Sequence, residues 1–195
     1  MTYYDIEQNS DEWMALRCGK FTASMFKDLF AKETTQTYQD AIYKIVFERL
    51  TGEVPESFSN DWMQRGHELE QEASDWYSLT TGYEVLNGGF FKLSDWIGAS
   101  PDGLIGEDGL IEIKCPKYST MINYLLDQKV PKIYEWQVQG QLYVTGRAWC
   151  DFICYHPKLK RLVLRIERDD KMLSDLEQKL SESISKADSI IEKLK

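Results

Sequence analysis

Residues 100–116 read Ser100-Pro101-Asp102-Gly103-Leu104-Ile105-Gly106-Glu107-Asp108-Gly109-Leu110-Ile111-Glu112-Ile113-Lys114-Cys115-Pro116. Two turn signals, Pro101-Asp102-Gly103 and Glu107-Asp108-Gly109, enclose a short apolar run and lead into a β-rich segment. Side chains alternate along a strand, so Glu112 and Lys114 share one face and Ile111 and Ile113 the other. A hairpin ending in this strand brings Asp102, ten residues upstream, beside Glu112. Two carboxylates side by side repel, and one pKa rises unless a divalent cation neutralises them. Magnesium suits the pair because it favours hard oxygen ligands, takes few from the protein and keeps positions for water and a phosphate. Lys114 then holds or activates the attacking water, or balances charge developing on the phosphate. A Pro-Asp-Gly turn or a Glu-Ile-Lys strand alone is commonplace. The two together, at this spacing and followed by Cys-Pro, form a rarer combination.

Working upstream, a helix is expected over 61–79, ending at the Thr81-Gly82 stop. At about 100° per residue, Trp62, Met63, Gly66, Leu69, Ala73, Trp76 and Tyr77 occupy one arc, and Glu70 falls inside it. A carboxylate aimed at a core is costly unless paired or metal-bound, which makes Glu70 a candidate third acid. Downstream, a helix over 133–144 places Gln137 beside the arc of Ile133, Trp136, Gly140, Tyr143 and Val144, while Gln139 projects elsewhere. An amide at Gln137 can orient a water or a phosphate oxygen. Near the start, Arg17 precedes Thr22-Ala23-Ser24, where a helix running through Phe26 and Leu29 begins with Thr22 as its cap. Free amides and the positive dipole end there suit Arg17 and Ser24 to a terminal phosphate.

The remaining organisation is mixed α/β. Residues 1–80 read as mainly helical, with a short helix after Asn9-Ser10 and a longer one over 38–50. Residues 83–167 form a sheet-rich core with later strands over 148–155 and 161–167. From Asp169 to 195, Met172, Leu176, Leu180, Ile184, Ala187 and Ile191 recur at steps of three and four, as in an amphipathic helix. With 195 residues the expectation is a single domain, 1–195. Hydrophobic residues at 43% and charged residues at 28% place the chain in the globular class. No apolar run nears the roughly 20 residues of a membrane span, and MTYYDIEQNSDEW lacks signal-peptide character, so a cytoplasmic protein is expected. Cys18, Cys115, Cys150 and Cys154 form no CxxC pair, which argues against zinc and for reduced thiols. The net charge of -9 counts against broad nucleic-acid binding. A cation-collecting carboxylate site with a small basic channel is compatible with it.

These residues together resemble the lambda exonuclease family of phage-type alkaline exonucleases, also called YqaJ-like viral recombinases. The resemblance runs in order through Trp13 with Leu16-Arg17, Thr22-Ala23-Ser24, Arg65-Gly66 with Glu70, and Ser100-Pro101-Asp102-Gly103-Leu104. It continues through Leu110–Pro116, Gln137-Val138-Gln139 and the block from Ile166 to Lys171. It implies a PD-(D/E)XK restriction-endonuclease-like core, a central mixed sheet flanked by helices. Asp102, Glu112 and Glu70, with the Ile113 carbonyl, are implied to hold Mg2+, for which Mn2+ substitutes. Lys114 is implied to position the nucleophilic water, Gln137 to be an active-site amide, and Arg17 and Ser24 to hold the 5'-phosphate. Such enzymes digest one strand of double-stranded DNA ends 5'-to-3' and leave a 3' tail for a single-strand annealing partner. Many are homotrimers. Two rival readings are an endonuclease of the same superfamily and a non-catalytic DNA-binding protein on a nuclease fold. The second predicts loss of Asp102, Glu112 or Lys114, and all three are present.

Overall fold

The structure is a computed structural model that describes residues 1–55 and 61–195, with the side chains of 61–68 left out. Its elements run β1 (Thr2–Tyr4), α1 (Asp11–Arg17), β2 (Phe21–Thr22), a 3-10 turn (Ala23–Met25), α2 (Phe26–Leu29), α3 (Gln36–Thr51), α4 (Asp61–Thr81) and β3 (Leu86–Asn87). They continue β4 (Phe90–Lys92), β5 (Ile97–Ala99), β6 (Gly103–Ile105), β7 (Gly109–Lys114), α5 (Tyr118–Asp127), α6 (Lys132–Thr145), β8 (Trp149–Cys154), β9 (Leu162–Glu167) and α7 (Asp170–Leu194). Among the described residues no helix is long and apolar enough to cross a membrane.

One sheet has the order β3-β6-β7-β8-β9 and the other β1-β4-β5-β2. The first is the expected mixed sheet. Its β6–β7 hairpin pairs Gly103 with Ile111 and Ile105 with Gly109, closed by a three-residue turn in which Gly106 takes φ +50°. β7 and β8 are parallel, Glu112 opposite Phe152, and parallel neighbours require a crossover, here made by α5 and α6. The second sheet was not expected. It draws two- and three-residue strands from the N-terminal part, and β2 pairs parallel with β5. The helix α5 was likewise not expected; it follows Cys115-Pro116 and has no side-chain cap.

Local chemistry explains the helix boundaries near the site. Ser10 Oγ accepts from Trp13 N at 3.2 Å to start α1, and Asp11 and Glu12 lie in its first turn. The expected cap at Thr22 is corrected: Thr22 stands at the start of the 3-10 turn, but its hydroxyl makes no capping bond. Asp169 caps α7 through bonds at 3.0 Å from Lys171 N and Met172 N.

β7 lies between two apolar cores. Ile111 and Ile113 join Ala73, Tyr77, Ile153 and Tyr155 on the side covered by α4. Leu110 faces the larger core, built from Phe21, Phe26, Ile42, Leu142, Phe152 and Leu176, on the side covered by α6. Trp62, Met63 and Gly66 of the helical projection, and Arg65 of the family resemblance, lie outside the described side chains. Ala73 and Tyr77 of the same arc are fully buried, so the projection identified the packed face.

A buried network on β8 and β9 secures the far side of the sheet. Asp151, 4% exposed, accepts two bonds at 2.8 Å from Arg165 and one at 2.5 Å from the Tyr77 hydroxyl. The Arg165 guanidinium stacks 3.7 Å from the Trp149 ring centroid.

Candidate active site

Strand alternation turns Glu112 away from Ile111 and Ile113 and toward α6. Only 1% exposed, Glu112 accepts at Oε1 from Gln137 Nε2 at 2.6 Å and also pairs there with the Lys114 ammonium. Its Oε2 accepts from Gln141 Nε2, again at 2.6 Å. Asp102 stands one residue before β6, opposite Glu112 in the hairpin. Its backbone N donates to Ile111 O at 3.1 Å, and its Oδ2 accepts from Ile113 N at 2.6 Å. The carboxylate therefore stands in as a ladder acceptor, which fixes its rotamer against the strand that carries Glu112.

Glu70, from α4, lines a cleft of about 230 Å3 together with Asp102, Ile113, Gln8, Asn9 and Asn87. The site thus straddles the end of β7: Glu112 and Lys114 lie on one face, Glu70 comes from the helix covering the other, and Asp102 sits at the hairpin edge. Burial raises the Asp102 pKa well above the usual carboxylate range, and Glu112 and then Glu70 push it further up, with Lys114 and the Ile113 N–H opposing. Burial disfavours the Lys114 ammonium, but Glu112 and Asp102 outweigh it and hold its pKa above the ordinary lysine value.

This donor set fits a hard divalent cation. Three carboxylates against one ammonium leave two negative charges, which one such ion neutralises. Among the described residues no three His, Cys, Asp or Glu side chains converge as a ready-made metal cage. Asp102, Glu112 and a strand carbonyl suffice for Mg2+, which takes few protein ligands and retains water.

The second group of expected residues lies on the other side of Ser100. Arg17 donates to Ser100 Oγ at 3.5 Å and to Thr22 Oγ1 at 3.3 Å, and its guanidinium sits 4.1 Å from the Trp13 ring centroid. Thr22 Oγ1 is 3.4 Å from Ser24 Oγ, so Arg17, Thr22 and the exposed Ser24 form one polar chain. Burial lowers the Arg17 pKa to about 10 against the pull of Glu48. Among the described residues no carboxylate lies within ion-pair distance of Arg17. Trp13 Nε1 also donates to Ser100 Oγ at 2.8 Å, and Gln141 Nε2 reaches the Ser100 carbonyl at 3.4 Å.

Glu112, Lys114 and Gln137 are thus brought into direct contact, with Asp102 hydrogen-bonded to the backbone of the strand that carries Glu112 and Glu70 lining the adjoining cleft. Arg17 and Ser24 form a neighbouring group joined to them through Ser100. Gln139 serves the fold instead, donating to Glu167 O at 2.9 Å and accepting from Asp169 N at 3.0 Å. Sequence reasoning missed Gln141, although it lies one turn after Gln137 and so shares its face. It also missed Ser100 as the junction between the two groups.

The fold and this carboxylate–lysine site define a nuclease of the PD-(D/E)XK type. Residues 12–148 match the YqaJ-like viral recombinase domain. The chain belongs to that family. It is similar to an alkaline exonuclease from Laribacter hongkongensis, LHK-Exo, whose structures include a complex with dAMP: 38% identity, a TM-score of 0.89, 95% of this chain and 96% of that one. A phage-related exonuclease from Haemophilus somnus 129PT shares the fold at 16% identity, with a TM-score of 0.71 over 90% of this chain and 96% of that one. Uncharacterized protein R354 of Acanthamoeba polyphaga mimivirus is 32% identical over 163 residues, 75% of this chain. The chain spans 29% of the length of that relative.

Proposed function

We propose that the protein is a magnesium-dependent 5'-to-3' exonuclease of double-stranded DNA that releases 5'-mononucleotides and leaves 3' single-stranded tails. Membership of a recombinase family and the likeness to LHK-Exo support the class of reaction. The observation that carries the 5'-end preference is Arg17: a half-buried guanidinium with no carboxylate within ion-pair distance among the described residues, joined through Ser100 to the segment bearing Asp102. A partly desolvated guanidinium with no carboxylate in direct contact suits an incoming anion, and a phosphate supplies one. Two extended residues span at most about 7 Å, so a terminal phosphate on Arg17 sets the adjacent phosphodiester near Asp102.

Asp102 and Glu112, with Glu70 and the Ile113 carbonyl, are the residues that would hold Mg2+, which would stabilise phosphate charge and lower the pKa of a water. Lys114 holds that water and balances charge developing on the phosphate. Gln137 keeps Glu112 turned toward the reacting centre, and Ser24 adds a hydroxyl beside the terminal phosphate. In the same reading residues 1–195 act as one nuclease domain. It works as a homotrimer and hands its 3' tail to a single-strand annealing protein.

The test uses linear duplexes with 5'-phosphate, 5'-hydroxyl or blocked ends, and a covalently closed circle, each with magnesium or with chelator. Mononucleotide release from 5'-phosphorylated linear DNA with magnesium alone is the expected result. Arg17→Ala should erase the preference for 5'-phosphate over 5'-hydroxyl ends. Cutting of closed circles would assign an endonuclease, and binding without cleavage a non-catalytic protein.

A further inference from the structure

Gln141 sits deeper in α6 than Gln137 and is 1% exposed. Its Nε2 is shared between Glu112 Oε2 at 2.6 Å and the Ser100 carbonyl at 3.4 Å, while its Oε1 is buried without a hydrogen-bond partner. A buried amide ordinarily satisfies both ends, and an unpaired acceptor destabilises the fold. Turning the amide over would not cure this, because Oε1 would then face two other acceptors, the Glu112 carboxylate and the Ser100 carbonyl. The fold therefore tolerates an orphaned carbonyl to keep an N–H on Glu112.

The same amide nitrogen, with its two hydrogens, touches the two segments that the chemistry must hold in register. Glu112 is gripped at Oε1 by Gln137 and Lys114 and at Oε2 by Gln141. Ser100, two residues before Asp102, is gripped at its hydroxyl by Trp13 and Arg17 and at its carbonyl by Gln141. We infer that Gln141 is a positioning residue that presets Glu112 and the Ser100–Asp102 segment in one frame before metal and DNA arrive. The inference rests on the reading above that Glu112 is a metal ligand, and it adds a residue that this reading does not use. Without Gln141 the Glu112 carboxylate is free at one oxygen, and binding a cation has to order it. Partners of this kind typically contribute about 10- to 100-fold to metal affinity.

The experiment titrates the purified full chain with Mn2+ by calorimetry, without DNA, for wild type, Gln141→Leu, Gln141→Asn and Asp102→Asn. Cleavage of 5'-phosphorylated linear duplex is followed in parallel as Mg2+ is varied. The expected result is Mn2+ binding weakened about 10- to 100-fold in both Gln141 variants. The Mg2+ concentration for half-maximal rate should rise by a similar factor, and much of the rate should return at saturating Mg2+. A packing role alone would lower the melting temperature and the rate at every Mg2+ concentration while leaving Mn2+ affinity unmoved, and that pattern overturns the inference. Should Gln141→Leu fail to fold, Gln141→Asn carries the comparison, since its shorter amide stays polar but cannot span both partners. If wild type binds Mn2+ no better than Asp102→Asn, the metal-site reading falls and takes the inference with it. If wild type binds and both Gln141 variants bind within about twofold of it, the inference alone falls.

Discussion

Gly140→Ala tests whether the packing of α6 sets the site. A Cβ at Gly140 would lie 2.3 Å from Phe26 Cδ2 and 2.7 Å from Cε2, and Phe26 is fully buried. Helix propensity alone predicts a gain of about 1 kcal/mol for glycine to alanine within a helix. Overpacking costs about 1–3 kcal/mol, and contact with a locked aromatic ring belongs at the upper end. The difference leaves the variant about 2 kcal/mol less stable, a fall in Tm of about 4–8 °C for a chain of this size. Relief of the clash comes from moving α6 off Phe26, and α6 carries both amides that bond Glu112 at 2.6 Å. A shift of about 1 Å at such a site costs up to about 10²-fold in rate. Circular-dichroism melting and single-turnover digestion of a 5'-phosphorylated duplex read the two effects. An unchanged or higher Tm with full activity would refute the reasoning, since it would mean that the Phe26 contact does not hold α6 in place.

Other substitutions separate chemistry from stability. Asp102→Asn removes a repelled, half-buried charge and can still accept from Ile113 N, so cleavage should fall at least about 10²-fold while metal-free stability holds or rises by about 1 kcal/mol. A urea titration showing a large loss of stability would contradict this. Asp151→Ala strips the Tyr77 hydroxyl and Arg165 of their shared partner and should cost about 3 kcal/mol in the same titration, the lower end for a broken pair because Arg165 is partly exposed. A loss below about 1 kcal/mol would show the network to be incidental. Burial pushes the Cys154 thiol up to about 12 and raises Cys150 well above its ordinary value, so neither forms appreciable thiolate at pH 8. A thiol reagent should find only Cys18 and Cys115 before unfolding and all four cysteines afterwards. Fast labelling of Cys150 in the folded protein would contradict its burial.

Much of the site was legible because it is written in local periods. Two-residue alternation paired Glu112 with Lys114, the turn chemistry at 106–109 brought Asp102 across, and the 100° projection put Gln137 on the inward face of α6. Gln141 escaped although it lies one turn further on the same face. Its importance comes from Ser100 and Glu112, partners 41 and 29 residues away. Ser100 reads locally as the start of a turn, and nothing nearby in the sequence says that Trp13 and Arg17 of α1 and Gln141 of α6 converge on it. The unexpected sheet is a similar case. Strands of two and three residues, such as Phe21–Thr22, have no measurable period and exist because β5 and β4 pair with them. Thr22 is an appropriate cap residue by type, but the Arg17 guanidinium offers its hydroxyl a nearby partner, and that contact prevails.

The hairpin also says where the interval between Asp102 and Glu112 is free to change. Between Gly109 and Glu112 every residue is committed to a partner on β6 or β8, and a single insertion there would turn Glu112 toward the α4 side. The turn at 106–108 has no ladder pairing: its ends are held, Gly106 O by Arg147 at 2.9 Å and Asp108 O by Ala148 N at 2.9 Å and Trp149 N at 3.2 Å, while the exposed Glu107 stands at the tip. A homologue with a longer gap between its Pro-Asp and Glu-x-Lys elements should therefore hold the extra residues at the tip of this turn. Alignments that spread a gap into either strand would misassign the acid pair. Length differences at the tip then become a usable marker of lineage, while the two strands beneath it record the constraint of the chemistry.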